Sequence, residues 1–171
     1  MELIRFAPEY QNSILTLHRK AMSGFTTGMG QHEEEADLTA IEQVYFRDGE
    51  FLVGLIDGKV VAMGGFKQKS PTTAELKRIR IEPELQGKGY GTQLLQELER
   101  RAAERGFSTL WLETARARSR TLAFYDRHGY KQVGDGSYGA VEVVAYSKQL
   151  DSETRQVGEK GDSVSQTSNA R

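Results

Sequence analysis

Apolar residues along this chain come in short blocks whose spacing changes several times, and each change marks a predicted element. Leu3 to Phe6 reads as a short strand, and Pro8-Glu9 open a helix to about Met22 with Ile14, Leu15 and Leu17 on a modest apolar face. Between Gly24 and Glu35 no period survives and three glycines interrupt the run, which predicts a long loop. Asp37 is a predicted N-cap for a helix carrying Leu38, Ile41, Val44 and Tyr45 on one side. Two nearly continuous apolar runs follow, Phe51 to Ile56 and Val60 to Phe66. They flank Asp57-Gly58, a favoured type I′ pair, so they form a hairpin whose strands are covered on both faces.

The next strand, Ala74 to Ile81, breaks step. Ala74 and Leu76 share one phase of the period-two alternation, and Ile79 and Ile81 share the other. Keeping one core face through that slip takes an extra residue, a β-bulge near Lys77-Arg78. A helix from about Tyr90 to Arg105 then places Leu94, Leu95, Leu98 and Ala102 inward, and Gly106 stops it. Thr109 to Glu113 is again a strand, so strand, helix and strand make a β-α-β unit with parallel strands and a right-handed crossover. A helix over Arg120 to Arg127 and strands at Tyr130 to Val133 and Val141 to Leu150 complete a folded domain, residues 1–150. Residues 151–171 hold two valines and an alanine as their apolar content and are expected to be a disordered tail.

Composition narrows the classes. The chain has 171 residues and 37% hydrophobic content, enough for one domain with a substantial core. Lys and Arg number 23 against 24 Asp and Glu, a balance that argues against a nucleic-acid protein held by phosphate neutralisation. The chain has no cysteine, which removes thiolate metal sites and a thiol nucleophile. Without a membrane-length apolar run or a signal-like start, a soluble cytoplasmic protein is expected.

The chemistry gathers at Gln86-Gly87-Lys88-Gly89-Tyr90-Gly91, between the bulged strand and the long helix. Glycines there admit positive φ and close approach of a ligand, while the unbonded N–H groups of a helix start favour phosphate. The spacing is not that of a P-loop, which needs Gly-Lys followed by Ser or Thr. It also fails the dinucleotide fingerprint, because the third glycine comes one position early.

Glu84 to Gly91, Leu94-Leu95, Gly106, Leu110-Trp111-Leu112 and Phe124-Tyr125-x-x-x-Gly129-Tyr130 together resemble the GNAT superfamily of N-acetyltransferases. Gln86, Gly89 and Gly91 match each fixed position of that family's pyrophosphate loop. The resemblance implies an α/β fold of mixed α+β type: a twisted mixed sheet of about seven strands flanked by helices, with strands four and five splayed around acetyl-CoA as co-substrate. It further implies that the backbone of Ile79, Arg80 and Ile81 pairs with the pantetheine arm. The N–H groups of Gln86, Gly87, Lys88, Gly89, Tyr90, Gly91 and Thr92 would hold the pyrophosphate. Lys88 adds charge to a coenzyme phosphate or is a plain loop lysine.

The expected activity is direct attack of a primary amine, on a small molecule or a protein, at the thioester. Glu75 stands where related enzymes carry a general base, its alternative being an outward polar residue of the strand. A backbone N–H near Ile81 is the expected oxyanion donor. Tyr125 matches the family's acid for the departing thiolate, with Phe124 beside it to fill the core. Where the family often has Asn seven residues before that tyrosine, this chain has Arg118. Arg118, Arg116 and Arg120 either meet a coenzyme phosphate or lie on the surface. His18, His32 and His128 are read as structural and no metal is expected; Glu33-Glu34-Glu35 is read as a solvated loop. The resemblance is compatible with a homodimer. A coenzyme-A-binding sensor without turnover is the alternative function.

Overall fold

A computed structural model describes residues 1–23 and 35–151. The predicted loop from Gly24, with His32, Glu33 and Glu34, and the tail from Ser152 lie outside the described residues. Strands β1 (Glu2–Arg5), β2 (Glu50–Ile56), β3 (Lys59–Gln68), β4 (Thr73–Ile81), β5 (Thr109–Ala115), β6 (Lys131–Tyr138) and β7 (Val141–Gln149) form one sheet. Its order is β1-β2-β3-β4-β5-β7-β6. All neighbours are antiparallel except β4 and β5, which run parallel as the β-α-β pattern requires.

Helices cover both faces. Helix α1 (Gln11–Met22) and the short α2 (Ile41–Tyr45) bury Ile14, Leu17, Ile41 and Tyr45 with Phe51, Val53 and Met63 on one face. Helix α3 (Tyr90–Glu104) lays Leu94, Leu95, Leu98 and Ala102 on the other face, against Leu52, Ala62, Phe66 and Leu76. Each buried leucine contributes roughly 1.5–3 kcal/mol. This two-sided cover explains the unbroken apolar runs of β2 and β3. Helix α4 (Ser119–Arg127) follows β5. Among the described residues no helix is long and apolar enough to cross a membrane.

Asp57 and Gly58 both take positive φ, +49° and +74°, as a type I′ turn demands. The helix expected from Asp37 is a correction. A turn spans residues 35–39, α2 starts only at Ile41, and its N-cap Ala40 supplies no side-chain bond. Asp37 is not a cap because its carboxylate is committed to β4.

Two irregularities of the sheet position the site. Between β3 and β4 the register steps from Met63↔Arg80 to Gly65↔Lys77, so β4 carries one extra residue. Arg78 takes it up at φ +61°, in the left-handed region. Opposite the bulge stands Gly64, where a Cβ would come within 3.1 Å of Ile79 and 3.3 Å of Leu94. The bulge keeps Leu76, Ile79 and Ile81 on the α3 face and turns Arg78 and Arg80 toward the α1 face. The second irregularity is that β4 and β5 pair only at Thr73↔Thr109, Ala74↔Leu110 and Glu75↔Trp111, and then part.

Candidate active site

The fork between β4 and β5 leaves the β5-facing edge of β4 without a strand partner from Leu76 onward. Polar backbone groups on such an edge invite an extended ligand. Two carbonyls there already have side-chain donors. Arg80 Nη1 donates to the Ile79 carbonyl at 2.9 Å, and Gln86 Nε2 donates to the Ile81 carbonyl at 3.3 Å.

At the far end of β4, a turn of 3₁₀ helix (Pro83–Leu85) leads into the glycine loop. Gly87 and Gly89 take φ +77° and +88°, and a Cβ on either would meet nothing within 4 Å. Backbone conformation, not crowding, requires glycine here. Gly89 is the residue before α3, and the N–H groups of Tyr90, Gly91 and Thr92 precede that helix's hydrogen-bond ladder. Gly91 is different: a Cβ there would sit 3.3 Å from the Phe124 ring. Lys88 is exposed. This is an exposed run of backbone donors with an open approach, which suits a pyrophosphate.

Tyr125 lies in α4, 6% exposed, with its ring against Phe124, Tyr130 and Tyr146. Among the described residues its hydroxyl has no hydrogen-bond partner. Burial raises its phenol to about 12, against the opposing pull of Arg80 and Arg118. The hydroxyl is therefore protonated throughout the physiological range.

Glu75 sits at the crotch of the fork, in the last parallel pair, on the face opposite Ala74 and Leu76. Its carboxylate is 3.5 Å from Lys77 Nζ and 3.9 Å from Lys67 Nζ. Neither lysine reaches normal hydrogen-bond length, and the side chain is only partly covered.

The bulge is held by contacts the sequence did not announce. Arg78 grips Asp37 with Nε at 3.0 Å from Oδ2 and Nη2 at 2.7 Å from Oδ1. The Tyr45 hydroxyl donates to the same Oδ2 at 2.5 Å. Burial alone would push the Asp37 carboxyl up, but the Arg78 and Tyr45 hydrogen bonds override it and hold it below its ordinary value. A strained left-handed residue thus persists because its side chain is pinned.

Two further groups collect around the fork. Arg118, at the start of α4, points a guanidinium nitrogen to 2.8 Å from Met22 Sδ, and its charge is felt by both Arg80 and Tyr125. Arg118 therefore faces the fork rather than the glycine loop, while Arg116 pairs with Asp135 and Glu142 and Arg120 is exposed. His18 of α1 is 3% exposed and its Nδ1 has no partner among the described residues. Burial, then the charges of Arg80 and Arg78, push its imidazole down to about 4. Two arginines at alternate positions of β4, Arg78 and Arg80, were the one available signal for this cluster.

Because His18 is neutral in the folded protein, its stability effect has a definite sign. Above pH 6.5 the ring is neutral in both states. Between 6.5 and about 4 the unfolded chain takes up a proton that the folded chain refuses. Stability must therefore fall as pH falls through that window, by about 3 kcal/mol from this residue, and level off below it. Urea denaturation of wild type and His18→Gln from pH 7.5 to 4.5 isolates the effect as a difference in slope; equal slopes would refute it.

His128 closes the arrangement. The Phe124 carbonyl, 2.7 Å from Nδ1, can only accept, so Nδ1 carries the proton in the neutral ring. Nε2 then accepts from the Thr92 hydroxyl at 2.9 Å.

Residues 12–130 match the acetyltransferase (GNAT) family, and the chain belongs to it. The uncharacterized N-acetyltransferase YjgM of Escherichia coli (strain K12) is 27% identical over 114 residues, 64% of this chain and 68% of that protein. The probable N-acetyltransferase camello of Xenopus tropicalis is 31% identical over 109 residues, 61% of this chain. The chain spans half the length of that relative. A GNAT-family acetyltransferase from Staphylococcus aureus Mu50 shares the fold with a TM-score of 0.79, covering 88% of this chain and 99% of its own at 17% identity.

Proposed function

We propose that the protein is an N-acetyltransferase that moves the acetyl group of acetyl-CoA to a primary amine by direct attack. The observation that carries this reading is the fork. Strands β4 and β5 part after three residue pairs, with a glycine cradle beyond one end and a partnerless phenol beside the opening. Family membership supports the acetyl-transfer class. The unpaired edge of β4 at Ile79, Arg80 and Ile81 suits an amide-bearing arm, and Gln86 through Thr92 suit its pyrophosphate.

Bound acetyl-CoA supplies the thioester, whose C–S bond breaks as the C–N bond to the amine forms. The chain's residues then have separate tasks. Glu75, directly or through water, takes the proton that the ammonium must lose before it can attack. Backbone N–H groups of the bulged strand near Ile81 face the charge that develops on the acyl oxygen. Tyr125 gives its phenolic proton to the departing thiolate, an ordinary thiol having a pKa of about 8.5. Solvent resets both residues.

Acetyl-CoA-dependent thiol release against a panel of amino acids, polyamines, aromatic amines and peptide N-termini tests the proposal. Release that requires an amine, with N-acetyl product found by mass spectrometry, is the expected result. Acetyl-CoA binding with no release for any amine would leave a coenzyme-A-binding module instead.

A further inference from the structure

Arginines gather at the fork. The bulge turns Arg78 and Arg80 to the same face, and Arg118 joins them from α4. Among the described residues the carboxylates nearby are committed elsewhere. Asp37 is taken by Arg78 and Tyr45, Glu35 by Arg19, and Glu75 lies between Lys67 and Lys77. Among the described residues Arg80 has no acidic partner. Its one hydrogen bond goes to the Ile79 carbonyl, and its Nε is buried with none. The charged groups acting on it most are Arg118 and Arg78, which repel it and, with burial, pull it down to about 10. It remains protonated at neutral pH. Beside it, the buried Nδ1 of His18 is also unsatisfied.

Arg80 is half-buried, and a buried guanidinium nitrogen left without an acceptor is costly enough that folded proteins normally satisfy it. The phosphates of a bound coenzyme do not fill this role. The glycine loop leads into α3 on the face of Ile79 and Ile81, whereas Arg80 alternates to the opposite face. An anion carried by the other substrate would meet this guanidinium at the fork.

Resting on the N-acetyltransferase reading, we infer that the acceptor is an amine that itself carries a carboxylate, as an amino acid does, and that Arg80 binds that carboxylate. A guanidinium and a carboxylate form paired, charge-assisted hydrogen bonds of fixed geometry, so the contact orients the amine as well as holding it. The remaining positive field disfavours the ammonium form of the amine and so favours the nucleophile. Polycationic amines meet the same field as a barrier.

The test uses the full chain and compares amino acids with their α-amides, each corrected for its free-amine fraction, with spermidine as the polycation. Wild type is expected to favour the acids in kcat/KM by on the order of 10- to 100-fold, the range of a charge-assisted hydrogen bond. Arg80→Gln should bring that ratio near one by raising KM for the acid, and Arg80→Lys should restore part of it. Acetyl-CoA-induced thermal stabilisation of each variant shows that it is folded. Amides or spermidine equal to the acids, or a ratio unmoved in Arg80→Gln, would overturn the inference while leaving the acetyltransferase intact. So would weakened acetyl-CoA binding with an unchanged ratio, which would put Arg80 on the pantetheine arm. Should no amine be acetylated, the activity itself fails. The site is then read by thermal shift with coenzyme A and N-acetyl amino acids against their amides, where equal shifts or none overturn it.

Discussion

Tyr125→Phe is expected to lower kcat for acetyl transfer roughly 100-fold or more while leaving the protein's melting temperature nearly unchanged. The two halves of this expectation have different origins. The ring fills space among Phe124, Tyr130 and Tyr146, and phenylalanine keeps that packing. The hydroxyl has no partner among the described residues, so removing it strands no donor or acceptor. What disappears is the proton for the departing thiolate. With the phenol raised to about 12, full transfer to a thiolate is uphill, which puts the effect at the lower end of acid catalysis. The arginines beside it ease the transfer by favouring phenolate. Steady-state thiol release with scanning calorimetry checks both halves. A kcat within threefold of wild type would remove Tyr125 from the chemistry, and a large fall in melting temperature would make its role structural.

Asp37→Ala carries the second large effect, on stability. Removing this carboxylate leaves the Arg78 guanidinium without its two bonds and the Tyr45 hydroxyl without its acceptor. Breaking one side of a largely buried ion pair costs about 3–5 kcal/mol. For a chain of this size that is a fall of roughly 10 °C in melting temperature. The double variant Asp37→Ala with Arg78→Met should recover much of the loss, because no charge is then stranded. A single-variant cost below about 1 kcal/mol would show that the pair contributes little. Activity should fall further than stability alone explains, since Arg78 is the residue that bends β4 at the fork. Comparison of kcat at a temperature where both proteins remain folded separates the two effects.

Much of this architecture is legible in the sequence because period and turn chemistry are local. Asp57-Gly58 announces the hairpin. The phase slip between Leu76 and Ile79 announces the bulge, and Gly89 before Tyr90 announces the helix start; the structure has all three. The misses have one cause, long-range pairing. Asp37 looks like a helix cap because Asp often is one, and nothing nearby reveals a partner 41 residues away. β6 runs on through Gly134, Asp135, Gly136 and Ser137, which have no strand pattern of their own, because β7 supplies the register. Arg118 reads as a surface or phosphate-binding residue, and only the folded chain brings it to Arg80. The candidate site was readable where it is made of backbone, in the loop and the bulge. It was opaque where it is made of side chains meeting across elements.

The His128 link has a bearing on how such a site changes over time. One ring nitrogen is fastened to the helix that carries the phenol, the other to the helix whose start is the proposed phosphate cradle. In the proposed reaction the acid is thus registered against the donor molecule, which never varies. The side chain proposed to hold the acceptor hangs from β4, outside that fastening. Exchanging it redirects the enzyme to a new amine without disturbing the release of the old thiol.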